Sequence, residues 1–528
     1  MLKLIPLSSL EKVFSDEAPS AEPFCGCTYL RGEELSFQVA FRSSVDTELL
    51  PDVQSKNARV EIFLVEEIPS ELPCYPNSDD FFLRKAPGLY PDLLRPIAEP
   101  IKVKAGEWRS LWLCLRGEGD ATVAVMMQEQ SITCEFKQIP HGLPGQTLLH
   151  TNWFHCDCLA NAYGIEAFSE AHWTIVEKHV KCAVEHGVNF LLTPLFTPPL
   201  DTQVGGERLT TQLVGVTKTG DTYSFDFTQL ERWFEMCERC GVKAFELSHL
   251  FTQWGAKHAP KIVDNAGRRI FGWETDADGP EYTDFLEQFA QALMPFLEQQ
   301  GVKDRCCLHV SDEPGMGDIE CYARHAALIK RIFPGMKVID ALSNYEFYEQ
   351  GLLERPIPAN NHVWLFIDRV PELWTYYCCG QHRDGVSNRF FAMPSWRNRI
   401  LGFQLWKFKC AGFLQWGFNF WNSQFSVRTI DPFTCSDAGG AFPSGDAYVV
   451  YPGRNGEPLI SLRLKVFHEA LQDMRALQLL ESKIGYDAAL ATLEQGLEDE
   501  ITFSQYPRSA AWLLETRERI NETLAKSI

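Results

Sequence analysis

The sequence predicts a multidomain protein of β plus α/β class. An N-terminal β-sandwich is expected over residues 1–145, a (β/α)8 barrel of the TIM type over 146–436, and a mostly helical C-terminal extension over 437–528, packed on the barrel. Three observations lead there. Residues before about 145 hold short runs that alternate apolar and polar side chains between Gly, Pro and Asp turns. From there the rhythm changes to apolar runs of strand length separated by amphipathic helical patterns. Beyond 460 the periodicity is helical. At 528 residues the chain is too long for one ordinary domain.

In the first region the alternating runs are 34–41, 58–65, 109–115, 121–127 and 131–136. The Pro-punctuated stretch 87–96 reads as a loop, and 138–146, rich in Pro and Gly, as a linker. The barrel strands are expected at 148–154, 188–192, 242–247, 306–311, 336–341, 362–366, 373–378 and 412–416. Helical patterns at 169–185, 227–240, 282–299, 319–332 and 397–409 separate most of them. An open doubly wound sheet is the alternative, but it would want a Gly-rich phosphate loop after its first strand, and none is present. Helices at 460–482, 487–497 and 509–526 complete the chain.

Composition narrows the function. The formal net charge is -21 and the pI about 5.1, which argues against nucleic acid or an anionic membrane as partner. No run of about 18 apolar residues occurs, and Met1-Leu2-Lys3-Leu4-Ile5-Pro6 lacks the apolar core of a secretory signal. The 17 cysteines are scattered, many in apolar runs, as in a reduced cytoplasmic protein. Of the close pairs only Cys237 and Cys240 have zinc-like spacing, and they fall on one face of an amphipathic helix. No metal is expected, and a homo-oligomer is possible.

The chemistry centres on Cys306-Cys307-Leu308-His309-Val310-Ser311-Asp312-Glu313-Pro314-Gly315. It begins as an apolar strand and stops at two adjacent carboxylates. Strand neighbours point to opposite faces, so both acids enter one pocket only where the backbone turns, as Pro314 and Gly315 permit. Parity sends Leu308 and Val310 towards the helices, and His309, Ser311 and Glu313 inward. Two carboxylates that close repel, and one pKa should rise; a protonated Glu313 beside an ionised Asp312 is the arrangement a glycosidase acid and its partner need. Other strand ends carry His155 and Asp157, His249 with Gln253 and Trp254, Trp374 and Tyr376, and Trp416, Asn419 and Trp421. Aromatic faces with such polar groups suit a sugar. His155, Asp157 and His249 are also a candidate metal set, weakly supported by their spacing.

Ser311-Asp312-Glu313-Pro314 and Trp153-Phe154-His155-Cys156-Asp157-Cys158 resemble glycoside hydrolase family 123, the exo-acting β-N-acetylgalactosaminidases, and its wider relatives. The likeness extends through Gly88-Leu89-Tyr90-Pro91-Asp92-Leu93-Leu94, Trp374-Thr375-Tyr376, Gly412-Phe413-Leu414-Gln415-Trp416-Gly417, and Tyr448-Val449-Val450-Tyr451-Pro452-Gly453 with Leu462-Arg463. It implies a β-sandwich before a (β/α)8 barrel, a glycan or glycoside substrate, no cofactor, and retention assisted by the substrate. The sugar's 2-acetamido oxygen would attack the anomeric carbon, Asp312 would orient the acetamide, Glu313 would be acid and then base, and Tyr376 would bond the acetamide. Trp374, His155, Asp157, His249, Trp416, Asn419 and Trp421 are pocket candidates by position. Two alternatives stay open: a glycosidase of other specificity with a conventional nucleophile, Asp340 or Asp368, and a carbohydrate-binding protein without catalysis.

Overall fold

The computed structural model describes residues 1–527 and is a mixed α/β protein whose N-terminal strands form a curled sheet. The strands Asp52–Ser70 and Trp108–Met127 run the length of that seven-stranded sheet. Trp108–Met127 pairs with Leu35–Ser43 through its first half and with Gln130–Gly142 through its second. The two long strands bend together, with a register shift between Lys56 and Ala58 and a left-handed backbone at Asn57 (φ 57°). Gly117 sits at the fold-over: a Cβ there would lie 2.2 Å from the Tyr29 hydroxyl. Phe37, Val39, Leu111, Leu113, Val123, Val125 and Phe136 fill the inside of the curl.

Three expectations change here. The separate runs 109–115 and 121–127 are one strand, and a seven-stranded curled sheet, with the two-stranded sheet of Thr47–Leu49 and Ile101–Val103 on the same core, stands where two packed sheets of separate short strands were expected. Gly88–Pro96 is a strand, not a loop. It lies at the sheet edge, where Pro91 and Pro96 need no ladder N–H on the open side. Its buried Asp92 accepts from the Arg463 guanidinium (2.6 Å), which fixes the edge to the C-terminal region. The stretch read as a linker is strand as far as Gly142.

Eight short parallel strands follow, in two sheets. Phe190–Thr193, Ala244–Leu247, Cys306–Leu308, Lys337–Ala341 and Arg355–Ile357 form one; Leu149–Asn152, Gly412–Gln415 and Trp374–Tyr376 form the other. The helices Glu170–Glu185, Thr228–Cys240, Pro280–Gln299 and Ile319–Ile332 lie between strands in the chain, as the periodicity predicts. The expected sixth strand is misplaced: 362–366 holds the single 3-10 turn Val363–Leu365, and the strand is Arg355–Ile357. Three residues with a central proline give no period to read. Side chains from every parallel strand meet in one apolar cluster that includes Phe190, Ala244, Cys307, Ile339, Ile357, Trp374 and Leu414, with Leu149 against it. Gly412 is required there, because a Cβ would come within 2.1 Å of the Trp374 indole.

The helix Leu462–Ile484 passes between the curled sheet and the helices Ser395–Arg399 and Leu401–Lys407. Hence the charged residues of its first half are buried and paired: Lys465 with Glu34 (2.7 Å), and Glu469 and Asp473 with Arg399 (2.9 and 2.7 Å). Ala510–Lys526 adds Arg517, bound to Asp473 and Glu33. No helix is long and apolar enough to cross a membrane among the described residues.

Candidate active site

A cavity of about 220 Å³ opens where the parallel strands end. Trp153, Asp201, Trp254, Asp312, Glu313, Tyr376 and Trp416 line it, with Ala341 and Leu414 on the apolar side. They lie in or just after seven of the eight parallel strands, Asp312 and Glu313 sharing one and Leu414 and Trp416 another, which is how short strands on a fixed scaffold deliver unlike groups to one place.

The turn bearing the acids is over-determined. The ladder stops at Leu308, but the inward–outward alternation continues: Leu308 and Val310 join the helix-side core, and His309 turns in. Glu313 then takes a left-handed backbone (φ 45°), rare for a side chain of this kind. Its N–H donates to the Ala341 carbonyl (3.0 Å), and the Asp312 carbonyl accepts from the Trp254 N–H (3.0 Å). This reversal brings both carboxylates to one cavity. Asp312 is half-buried, Glu313 is exposed at the mouth, and the Tyr376 hydroxyl donates to Glu313 Oε1 (2.5 Å). Burial first, and the charge of Glu313 second, push the Asp312 carboxyl well above the usual range. The upward shift therefore falls on the deeper acid of the pair.

Beneath the pair lies a second set of acids, all buried. His309 bridges Glu246 (2.7 Å) and Asp340 (2.8 Å). Burial alone would depress the imidazole, but its bonds to Asp340 and Glu246 lift it to about 10, so it is a cation. Glu246 also accepts from the Trp153 indole (2.7 Å) and Thr151 (2.5 Å). Asp340 accepts from Tyr322 (2.5 Å) and from the N–H groups of Val310 and Ser311 (3.1 and 3.4 Å). The network thus ties the cavity wall at Trp153 to the backbone that leads into Asp312. His249 stacks on His309 at 4.1 Å with the rings 19° from parallel. His249, His309 and Asp340 are close enough to be considered a metal site. Imidazole lone pairs lie in the ring plane, however, and two nearly parallel planes 4.1 Å apart do not converge on one ion.

Of the other predicted pocket residues, Tyr376 and Trp416 line the cavity. Trp416 is aimed by its N–H bond to Asp446 (2.9 Å). The rest stand behind the wall. Asp157 holds Arg208 (2.8 and 2.6 Å), which also donates to His155 (3.0 Å) and to the Leu200 carbonyl (3.0 Å). Asn419 exchanges two hydrogen bonds with the His155 backbone. Trp421 donates to the Val450 carbonyl, and Trp374 is core. His155, Asp157 and His249 are not brought together as a metal set. Neither rival nucleophile reaches the cavity: Asp340 is enclosed in the His309 network, and Asp368 is exposed on a loop elsewhere. Sequence reasoning missed Asp201, Asp446, Phe425 and Phe442. Asp201 alone had a signal, as the carboxylate that closes the loop Thr197-Pro198-Pro199-Leu200 after the second parallel strand.

The profile described as "Glycoside hydrolase 123, catalytic domain" matches residues 153–480, more than half the chain. The chain belongs to glycoside hydrolase family 123. No curated protein matches its sequence. Among solved structures it is similar to a family 123 glycoside hydrolase from Clostridium perfringens, studied for glycolipid glycan hydrolysis, at 14% identity and TM-score 0.79, covering 100% of this chain and 99% of that one. A likeness at that identity extends the shared fold to both full lengths. A putative β-galactosidase from Bacteroides fragilis (8% identity, TM-score 0.33, 82% and 58% covered) and a family 5 mannosidase from Rhizomucor miehei (11%, 0.35, 64% and 95%) are distant. As a family 123 member the protein is a glycoside hydrolase, and its substrate is a glycan or glycoside.

Proposed function

We propose that this family 123 enzyme is an exo-acting β-N-acetylgalactosaminidase that retains configuration by substrate assistance. The observation that carries the reading is the Asp312–Glu313 pair, two adjacent carboxylates turned into one cavity with no cationic partner among the described residues. Glu313, at the mouth and steadied by Tyr376, is placed to protonate a leaving oxygen and then to activate water. Asp312, deeper, is placed to hold the acetamido N–H while its carbonyl oxygen attacks the anomeric carbon. Burial and the neighbouring Glu313 charge raise the Asp312 carboxyl well above its ordinary range. An N–H donor, then the positive charge of the forming oxazolinium ring, stabilises the Asp312 carboxylate that ring closure needs.

The same reading treats the two parallel sheets as arcs of one closed (β/α)8 barrel. At one seam the Asn189 N–H donates to the His150 carbonyl (3.1 Å); at the other Asn360 donates to Tyr376 (2.8 Å) and Tyr376 to Pro358 (3.0 Å). The apolar cluster shared by all eight strands supports closure. All 17 cysteines are free thiols, and we place the enzyme in a reducing cytoplasm on that ground. The test is hydrolysis of an aryl β-N-acetylgalactosaminide beside the matching galactoside and N-acetylglucosaminide. The first should be cleaved and the galactoside scarcely touched, and a thiazoline that mimics the bicyclic intermediate should inhibit. Equal turnover of the galactoside would exclude substrate assistance.

A further inference from the structure

Asp201 is a third carboxylate in the cavity, and the roles given to Asp312 and Glu313 leave it unexplained. Its backbone is left-handed (φ 41°) and held from several sides. The N–H donates to Gln253 Oε1 (2.6 Å), the carbonyl accepts from the Ser426 hydroxyl (2.7 Å), and Oδ2 accepts from the Phe425 N–H (3.0 Å). Behind it Arg208, locked by Asp157, grips the neighbouring Leu200 carbonyl (3.0 Å). With this support Asp201 makes no ion pair, and Oδ1 has no hydrogen-bond partner among the described residues. A half-buried carboxylate that is in no ion pair, with one oxygen spent on a backbone N–H and the other free, is an acceptor for a neutral donor. Sugar hydroxyls are such donors.

We infer that Asp201 is a substrate-binding carboxylate, accepting hydrogen bonds from ring hydroxyls of the terminal sugar and so helping to determine which sugar is cleaved. Burial lifts its carboxyl to about 6, so it is ionised at neutral pH and accepts through a full charge. The inference rests on the proposed function only for the choice of test sugar.

The test measures kcat and KM for the wild type, Asp201→Asn and Asp201→Ala. The substrates are a nitrophenyl β-N-acetylgalactosaminide and its 3-, 4- and 6-deoxy analogues. Asn keeps an oxygen for the Phe425 N–H, and thermal unfolding of both variants checks that the loop is held. Asp201→Ala should lose about 10- to 100-fold in kcat/KM on the parent sugar. One deoxy analogue should lose the same factor on the wild type and nothing further on Asp201→Ala. Losses that multiply for every analogue would overturn the inference. So would a covalent 2-fluoro-sugar adduct on the Asp201 peptide, which would make it the nucleophile. If the wild type ignores acetamido sugars, the proposed function fails by itself. The same matrix, run on the aryl glycoside it cleaves fastest, then decides Asp201 by the same non-additivity.

Discussion

Two groups of acids lie one above the other in this enzyme and are treated in opposite ways. Glu246 and Asp340 are fully enclosed, yet they clamp a protonated His309 and use their remaining lone pairs on Trp153, Thr151, Tyr322 and two backbone N–H groups. Asp201, Asp312 and Glu313 are nearer to solvent and have no such cation. Burying charge is costly unless it is paired and bonded. The lower group meets that condition and holds the scaffold. The upper group leaves it unmet, and a substrate with N–H and O–H donors is what completes it.

The contrast predicts rate losses above and stability losses below. The largest effect should come from Glu313→Gln: about 10²- to 10⁴-fold in kcat on substrates with poor leaving groups, and less on nitrophenyl glycosides, which need little protonation. Near-normal turnover of a disaccharide by this variant would remove Glu313 from the acid role. Asp312→Asn should cost about 10²- to 10³-fold by removing the charge opposite the forming ring, with the melting temperature nearly unchanged. Peptide mass spectrometry after 2-fluoro-sugar treatment should find no adduct on Asp312 or Glu313.

His309→Gln addresses the lower group. It leaves two buried carboxylates facing no cation and should cost about 3–5 kcal/mol of stability at neutral pH. Because the folded-state pKa of His309, about 10, lies above the ordinary imidazole value of 6.5, its stabilisation is complete below pH 6.5 and is lost as pH rises through 10. The gap between wild type and variant in urea denaturation should therefore narrow from pH 6.5 to 10. A gap that stays constant would mean that His309 is not charged. Smaller still, Tyr376→Phe removes the hydroxyl bonded to Glu313 and should lower kcat about 10-fold with little change in KM.

What could be read from the sequence follows the same division. Seven of the eight parallel strands were legible because each is an apolar run between helical patterns. The eighth, Arg355-Pro356-Ile357, has no period. The acid pair was legible because adjacent charges at the end of an apolar strand are unusual on that strand alone. The wall was not. His155, Asp157 and Asn419 follow strands just as Trp416 does, and only the packing of the 197–208 loop decides that Arg208, not a sugar, takes Asp157. Asp201 and Phe425 meet across more than two hundred residues of chain, a contact that no local pattern records.

The left-handed backbone at Glu313 has a consequence for directed evolution. Glycine adopts that conformation freely, whereas any residue with a Cβ gives up about 1 kcal/mol there. Glu313→Gly should thus be more resistant to chemical denaturation than Glu313→Ala. A library screened for thermal survival without an activity filter would tend to collect glycine at position 313. The most durable clones would be those that had discarded the proton donor.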